Sequence, residues 1–81
     1  MSSLAELKQA VAQLEVDHIE FQSAKKELDN WHDYDMRRSD GSTRQDALHE
    51  EIGRNAKERV WHANRKFEAQ KELVSRLIKE L

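Results

Sequence analysis

The chain contains no cysteine, no proline and only two glycines among its 81 residues. Without cysteine there is no disulfide, no thiolate nucleophile and no cysteine ligand for a metal. Without proline, and with so little glycine, long stretches of the chain carry no residue that breaks a helix. Aromatic residues make up only 6% of the chain, which limits the core that it can build. These absences favour long helices over a compact sheet or a disulfide-bonded domain.

Membrane-spanning and catalytic signals are also missing from the sequence. No segment approaches the ~20 consecutive apolar residues of a membrane span, and no basic segment followed by an apolar run opens the chain. The sequence has no glycine-framed serine and no glycine-rich phosphate loop, and a narrow helical chain offers little concave surface. We therefore expect a cytoplasmic protein that makes no membrane contact, holds no cofactor and is not an enzyme.

Two capping sequences, and a run of turn-forming residues between them, indicate two helices. Ser3 followed by Glu6 has the form of a capping box, and Ser42 followed by Gln45 repeats it. Between these starts, apolar periodicity disappears and turn-forming residues cluster. The sequence predicts an all-α fold in a single domain over residues 1–81, an antiparallel two-helix hairpin that resembles a coiled coil. The expected limits are about 4–36 for the first helix, 37–42 for the loop and 43–80 for the second helix.

The first helix carries a heptad stripe that is apolar only in part. Its apolar members are Leu4, Leu7, Val11, Leu14, Phe21 and Leu28. The remaining positions of the same stripe hold His18, Lys25 and His32. A seam that begins apolar and becomes polar predicts an incomplete interface, because apolar residues at both heptad positions are what hold helices together.

The second helix follows a different spacing. Residues eleven apart form its stripe, which includes Ile52, Ala63, Val74, Ala56, Phe67 and Ile78, with Leu48 and Val60 beside them. An eleven-residue repeat predicts straight or slightly right-handed packing, so a uniform two-stranded coiled coil is not expected. Gly53 either admits a close neighbour or lies on the surface, and we favour the surface interpretation.

Each helix also has a second apolar edge that one hairpin partner cannot cover. These edges hold Ala5, Ala12, Val16 and Ile19 in the first helix and Ala69, Leu73, Leu77 and Leu81 in the second. The hairpin is therefore predicted to form a homodimeric four-helix bundle or to dock on another protein.

The charge distribution favours pairing of the two helices with each other. Residues 1–40 carry nine acidic and five basic side chains, a net charge of −4, whereas residues 41–81 carry seven acidic and nine basic ones, a net charge of +2. Because the whole chain carries a formal charge of −2, general nucleic-acid binding is disfavoured. A small nucleic-acid-binding hairpin is retained as an alternative, since arginines lie at the loop and along the second helix.

The positions of the histidines suggest an alternative function, a metal site within a helical bundle. Folding the chain about residue 40 would bring His18 level with His62 and His32 level with His49. Carboxylates lie three or four residues from each histidine, a spacing that builds metal sites in helical bundles. Acidic residues are so frequent here, however, that such spacings arise on solvated faces as well. We therefore expect polar residues that set helix register rather than metal ligands.

The functional prediction depends on aromatic and leucine side chains that lie outside the main apolar stripe of each helix. Tryptophan and tyrosine are enriched at binding hot spots, and an apolar helix end offers a surface to a partner helix. The expected partner-binding residues are Trp31, Tyr34, Trp61, Leu73, Leu77 and Leu81. The sequence predicts a non-enzymatic protein–protein interaction module, acting as a small adaptor, assembly chaperone, inhibitor or regulator.

Overall fold

Two long antiparallel helices form the structure, a computed structural model that describes residues 3–37 and 43–81. Helix α1 is Leu4–Arg37 and helix α2 is Thr43–Glu80. The hairpin measures 60 × 15 × 14 Å along its principal axes, and the described residues contain no strand. The predicted all-α hairpin is confirmed, and the helix limits lie within one residue of those expected. The predicted loop, apart from Arg37, falls outside the described residues, as does the predicted cap Ser42.

The start of α1 is fixed by the predicted cap. The Ser3 hydroxyl oxygen accepts a hydrogen bond from the Glu6 backbone N–H at 3.1 Å, and the Ser3 carbonyl accepts one from the Leu7 N–H at 3.1 Å. The first bond satisfies a donor that the opening turn leaves without an intrahelical partner, and the second is the first backbone hydrogen bond of the helix. The negative charge of Glu6 also lies where the helix dipole is positive.

Both helices bury a heptad stripe along the line where they meet. In α1 this seam consists of Leu7, Ala10, Leu14, Asp17, Phe21, Ala24, Leu28 and Trp31. In α2 it consists of His49, Gly53, Ala56, Val60, Ala63, Phe67, Gln70, Val74 and Leu77. Spacings of three and four residues alternate in both, which is the 3.5-residue period of a left-handed coiled coil. The eleven-residue spacing predicted for α2 is therefore wrong, and Leu48, Ile52 and Ile78 are exposed.

In α1, every second position of the predicted stripe is displaced by one residue. Leu7, Leu14, Phe21 and Leu28 lie in the seam as expected, but Leu4, Val11, His18, Lys25 and His32 are exposed. The places of the last four are taken by the residues immediately before them, Ala10, Asp17, Ala24 and Trp31. Small side chains are buried there because they let the larger side chains of α2 approach the α1 backbone.

The apolar core lies at the open end of the hairpin, where the chain begins and ends. Ala10, Val74 and Leu77 are buried together. Leu7, Leu14 and Leu73 pack against them. Further along the seam, the rings of Phe21 and Phe67 stack with their centroids 5.9 Å apart.

Trp31 and Gly53 close the seam near the loop. The indole N–H of Trp31 donates a 2.9 Å hydrogen bond to the His49 carbonyl, and its ring stacks on the His49 imidazole at a centroid separation of 4.6 Å. A Cβ atom added to Gly53 would overlap the Trp31 ring, at 2.8 Å from Cη2 and closer still to Cζ2 and Cε2. The surface interpretation of Gly53 is therefore wrong, because its missing side chain is the space that Trp31 occupies.

The second apolar edges remain largely uncovered. Ala5, Ala12, Val16 and Ile19 are all exposed on α1. On α2, Ala69 and Leu81 are exposed, Leu73 is half-buried and Leu77 is buried. No helix of the described residues is long and apolar enough to cross a membrane.

Candidate interaction surfaces

Ion pairs between the helices mark one flank of the seam, which we call the bridge flank. Glu27 of α1 pairs with Arg59 of α2, and the Nζ of Lys66 lies 3.4 Å from Oε2 of Glu20. The two partners in each helix are seven residues apart, so both pairs lie on the same side of the hairpin. All four side chains are more than half exposed, so solvent screens both pairs and neither contributes much to stability. Their main effect is to favour this antiparallel register.

A buried carboxylate lies beneath the second of these pairs. Asp17 is only 2% exposed and occupies a seam position. Its Oδ1 accepts a 2.9 Å hydrogen bond from Nε2 of Gln13 and lies 3.6 Å from the Lys66 ammonium. The hydrogen bond with Glu20, the charge of Glu20 and then the charge of Asp17 raise the pKa of Lys66 above its ordinary value of 10.5. Lys66 thus lies between one exposed and one buried carboxylate.

The raised pKa of Lys66 predicts a loss of stability in alkali. The favourable contribution of the Lys66 charge is complete below pH 10.5, the ordinary value, and is lost as pH rises through the raised pKa of the folded state. We expect the urea midpoint of the wild type to fall more steeply above pH 10.5 than that of Lys66→Arg, which stays charged. Parallel pH profiles of the two proteins would contradict this assignment.

The opposite side of the seam, which we call the lysine flank, places ammonium groups over aromatic rings. Lys25 lies 5.4 Å from the Phe21 ring centre, Lys57 lies 5.5 Å from that of Trp31, and Lys71 lies 5.1 Å from that of Phe67. Cation–π attraction holds these three ammonium groups over the aromatic side chains of the seam. The bridge flank is therefore bordered by ion pairs between the helices, and the lysine flank by cation–π contacts.

A shallow groove of about 340 Å³ opens on the bridge flank. It is lined by Glu20, Arg59, His62, Ala63 and Lys66. Both of its strong cations are already paired with carboxylates, so the groove presents no unpaired lysine or arginine to an anion. Its lining also includes no serine or cysteine that could act as a nucleophile.

The histidines do not assemble the metal ligands considered above. His18 contacts Phe67, at 5.3 Å between ring centroids, and lies 3.2 Å from Nε2 of Gln22. His32 and His49 each contact the Trp31 ring. Among the side chains that the structure describes, those of residues 3–34 and 47–81, no group of three histidine or acidic residues could hold a metal ion. The two helices pair in a different register from the one expected for a fold about residue 40. His18 therefore lies beside Phe67 and not beside His62.

The structure divides the six predicted partner-binding residues between the core and the surface. Trp31 and Leu77 lie in the seam, and Leu73 packs against the buried core cluster. Leu77 is buried and Trp31 is half-buried, so the hairpin leaves little of Leu77 and only part of Trp31 for a partner, and their partner-binding role stays a prediction. Tyr34, Trp61 and Leu81 remain more than half exposed. Trp61 is covered in part by Arg65, whose guanidinium lies 4.9 Å from the ring centre.

Sequence reasoning missed two exposed apolar patches. The open-end patch consists of Leu4, Val11, Ile78 and Leu81, which are between 47% and 62% exposed. The loop-end patch consists of Tyr34, Leu48 and Ile52, all at least half exposed. The signal was present in the sequence, because apolar residues that lie outside a strict heptad seam must face outward. The apolar stripes predicted above place most of these residues in the seam itself.

Comparison with protein-family models, with curated proteins and with solved structures found no match to this chain.

Proposed function

We propose that the protein is a non-enzymatic interaction module that binds a partner protein through the open-end patch. An adaptor, an assembly chaperone, an inhibitor or a regulator would each use such a surface. The observation that supports this proposal is the exposure of four large aliphatic side chains beside the most apolar part of the core. Because these side chains are about half exposed, a partner that buried them would gain about half of the ~1.5–3 kcal/mol that full burial of such a side chain provides.

The four residues are brought together by the heptad register. His18 and Lys71 both contact Phe67, so they lie on the lysine flank. Val11 precedes His18 by seven residues and Ile78 follows Lys71 by seven, which places both on that flank at the open end. Leu4 lies one heptad before Val11, and Leu81 follows Ile78 by one turn.

An amphipathic helix is the partner chemistry that this patch suits best. Rows of aliphatic side chains on two adjacent helices form a shallow groove, and a third helix can lay its apolar face along it at spacings of three and four residues. Such docking would extend the core cluster of Ala10, Val74 and Leu77 outward and convert the end of the hairpin into a three-helix unit.

A charge-insertion experiment tests the proposal. The full chain, tagged and captured from its host lysate, should retain a partner protein at fixed stoichiometry in native mass spectrometry. Val11→Lys/Ile78→Lys should lower partner retention by about tenfold or more, because two lysines would be buried against an apolar helix. Ile19→Lys is the matched control, since Ile19 is as exposed as the patch residues but lies away from the seam on α1. Equal retention by both variants, or no partner for the wild type, would overturn the proposal.

A further inference from the structure

The bridge flank carries an arrangement that matches itself after a two-fold rotation. We propose that it is the interface through which two copies of this chain pair as an antiparallel four-helix bundle. The proposal rests on the proposed function only in treating the chain as an interaction module, and it uses a different surface from the open-end patch.

Apolar residues occupy both ends of the bridge flank, and charged residues occupy its centre. Toward the loop, Tyr34 follows Glu27 by seven residues, and Ile52 precedes Arg59 by seven, so both share the positions of that ion pair. Leu48 lies one turn before Ile52. These three residues form the loop-end patch, which projects from the flank.

The other end of the flank repeats this composition. Leu73 follows Lys66 by seven residues, and Ala69 lies one turn before Leu73. Val16 lies one turn before Glu20, the partner of Lys66. Val16 and Ala69 are exposed and Leu73 is half-buried. Each end therefore offers one apolar side chain from α1 and two from α2.

A single axis relates these ends to each other. The midpoint between Val16 and Tyr34 falls at residue 25 of α1. The midpoint between Leu48 and Leu73 and that between Ile52 and Ala69 coincide, halfway between residues 60 and 61 of α2. The ion pair between Glu27 and Arg59 places residue 25 level with this point. Three independent midpoints thus share one level of the hairpin, as an isologous interface requires.

A second copy rotated about this axis would set apolar residues against apolar residues. Tyr34 would face Val16 of the second copy, while Leu48 would face its Leu73 and Ile52 its Ala69. Each of these contacts would form twice. All neighbouring helices would be antiparallel, and α1 would lie along α1 and α2 along α2 of the second copy.

The charged centre is compatible with the same rotation. Glu20 would face Asn30 of the second copy, and Lys66 would face its Asn55. Each member of this ion pair would then meet an amide, which can accept from an ammonium or donate to a carboxylate. No carboxylate would lie opposite another carboxylate, so the bridges within each hairpin could persist in the dimer.

The size of this contact predicts a dimer of moderate affinity. Residues 48 to 73 span about 38 Å of helix, at a rise of ~1.5 Å per residue. Over the 15 Å width of the hairpin, this span gives roughly 570 Å² per copy, or about 1,100 Å² in total. That area lies near the lower end of stable interfaces, so we expect dissociation in the micromolar range.

Cysteine cross-linking tests the register directly, since the chain has no cysteine of its own. The variant Ile52→Cys/Ala69→Cys should form a covalent dimer on mild oxidation. Ile52→Cys alone should not, because its two copies would lie about 25 Å apart along α2, far beyond disulfide range. Mixing the Ile52→Cys and Ala69→Cys single variants should give the mixed dimer. Ile19→Cys, equally exposed but off this flank, is the control and should remain monomeric.

Charge exchange tests the same contact without a covalent bond. By sedimentation at about 1 to 100 µM, Ile52→Lys and Ala69→Glu should each raise the dimer dissociation constant about tenfold or more. Combining them should restore most of the affinity, because each lysine would face a glutamate of the other copy. A wild type that is monomeric over this range, cross-linking by Ile19→Cys, or no recovery in the double variant would overturn the proposal.

The same measurements separate the two surfaces. Val11→Lys/Ile78→Lys should leave the dimer dissociation constant unchanged while partner retention falls. A monomeric chain that still binds a partner through the open-end patch would overturn the dimer alone. A dimer that retains no partner would overturn the proposed function alone.

Discussion

Replacing Gly53 with alanine should destabilise the hairpin by about 1–2 kcal/mol, although alanine is the better helix former. In an exposed helix, this substitution would stabilise by about 1 kcal/mol. Here the added methyl group would enter the volume of the Trp31 ring. The ring would have to move, which would disturb its stacking on His49 and its 2.9 Å hydrogen bond to the His49 carbonyl.

The decisive measurement is the same substitution in a chain that lacks the indole. Trp31→Ala alone should cost about 3 kcal/mol, since a half-buried aromatic side chain and its hydrogen bond are lost. In that background Gly53→Ala should become stabilising by about 1 kcal/mol, because only helix propensity remains. Urea denaturation followed by circular dichroism at one fixed protein concentration would supply all four free energies of unfolding.

This change of sign makes the prediction specific. Gly53→Ala that stabilises the wild type would show that Trp31 does not lie on Gly53. A cost that persists after Trp31 is removed would show that another neighbour occupies the space. Conversely, an interaction free energy of about 2–3 kcal/mol between the two substitutions would show that the Trp31 ring packs in the space left by Gly53.

The helices themselves could be predicted because their signals are local. The lack of proline and the cap at Ser3 require no knowledge of the other helix. The loop was indicated by turn-forming residues that interrupt the apolar pattern. Helix limits therefore came within one residue of the observed Leu4–Arg37 and Thr43–Glu80.

The exact face that each helix buries could not be predicted in the same way. Val11 and Ala10 are neighbours in sequence, and the larger apolar residue is the natural choice for a core. The structure buries Ala10 because Val74 and Leu77 of α2 pack on it, which leaves Val11 outside. This choice depends on shape complementarity between helices, which a count of apolar residues does not contain.

The candidate interaction surfaces could not be predicted for the same reason. The apolar stripes place Val11 and Ile78 in the seams, so the open-end patch could not be recognised as exposed surface. Trp31, which the sequence predicts as a partner-binding residue, is also the aromatic that Gly53 accommodates, and that contact could not be predicted from the sequence. An outward-facing residue can be inferred only after the inward-facing ones are known.

Asp17 places a carboxylate in an otherwise apolar row of buried residues. The equivalent α1 positions one heptad away on either side are Ala10 and Ala24, and both are buried. Asp17→Ala should therefore stabilise the hairpin by about 1–3 kcal/mol, since it removes a buried charge and introduces the best helix former. Its partner would suffer little, because the Lys66 side chain is 56% exposed and keeps its contact with Glu20.

Removing the cation instead of the acid should have the opposite effect. Lys66→Met would leave Asp17 buried with only the amide of Gln13 as a hydrogen-bond partner among the contacts described above, so the hairpin should be destabilised. In the Asp17→Ala background, Lys66→Met should lose most of this cost. Destabilisation by Asp17→Ala, or an equal cost of Lys66→Met in both backgrounds, would contradict the account.

A carboxylate that lowers stability can still specify the structure. A shift of α2 by one heptad in one direction would place Leu73 where Lys66 now lies, leaving Asp17 without its cation. Polar residues at core positions fix register and association state in other coiled coils at a cost in stability. We therefore expect Asp17→Ala to unfold at higher urea but to populate larger or mixed assemblies in sedimentation. A more stable variant with unchanged association would show that Asp17 adds cost without specificity.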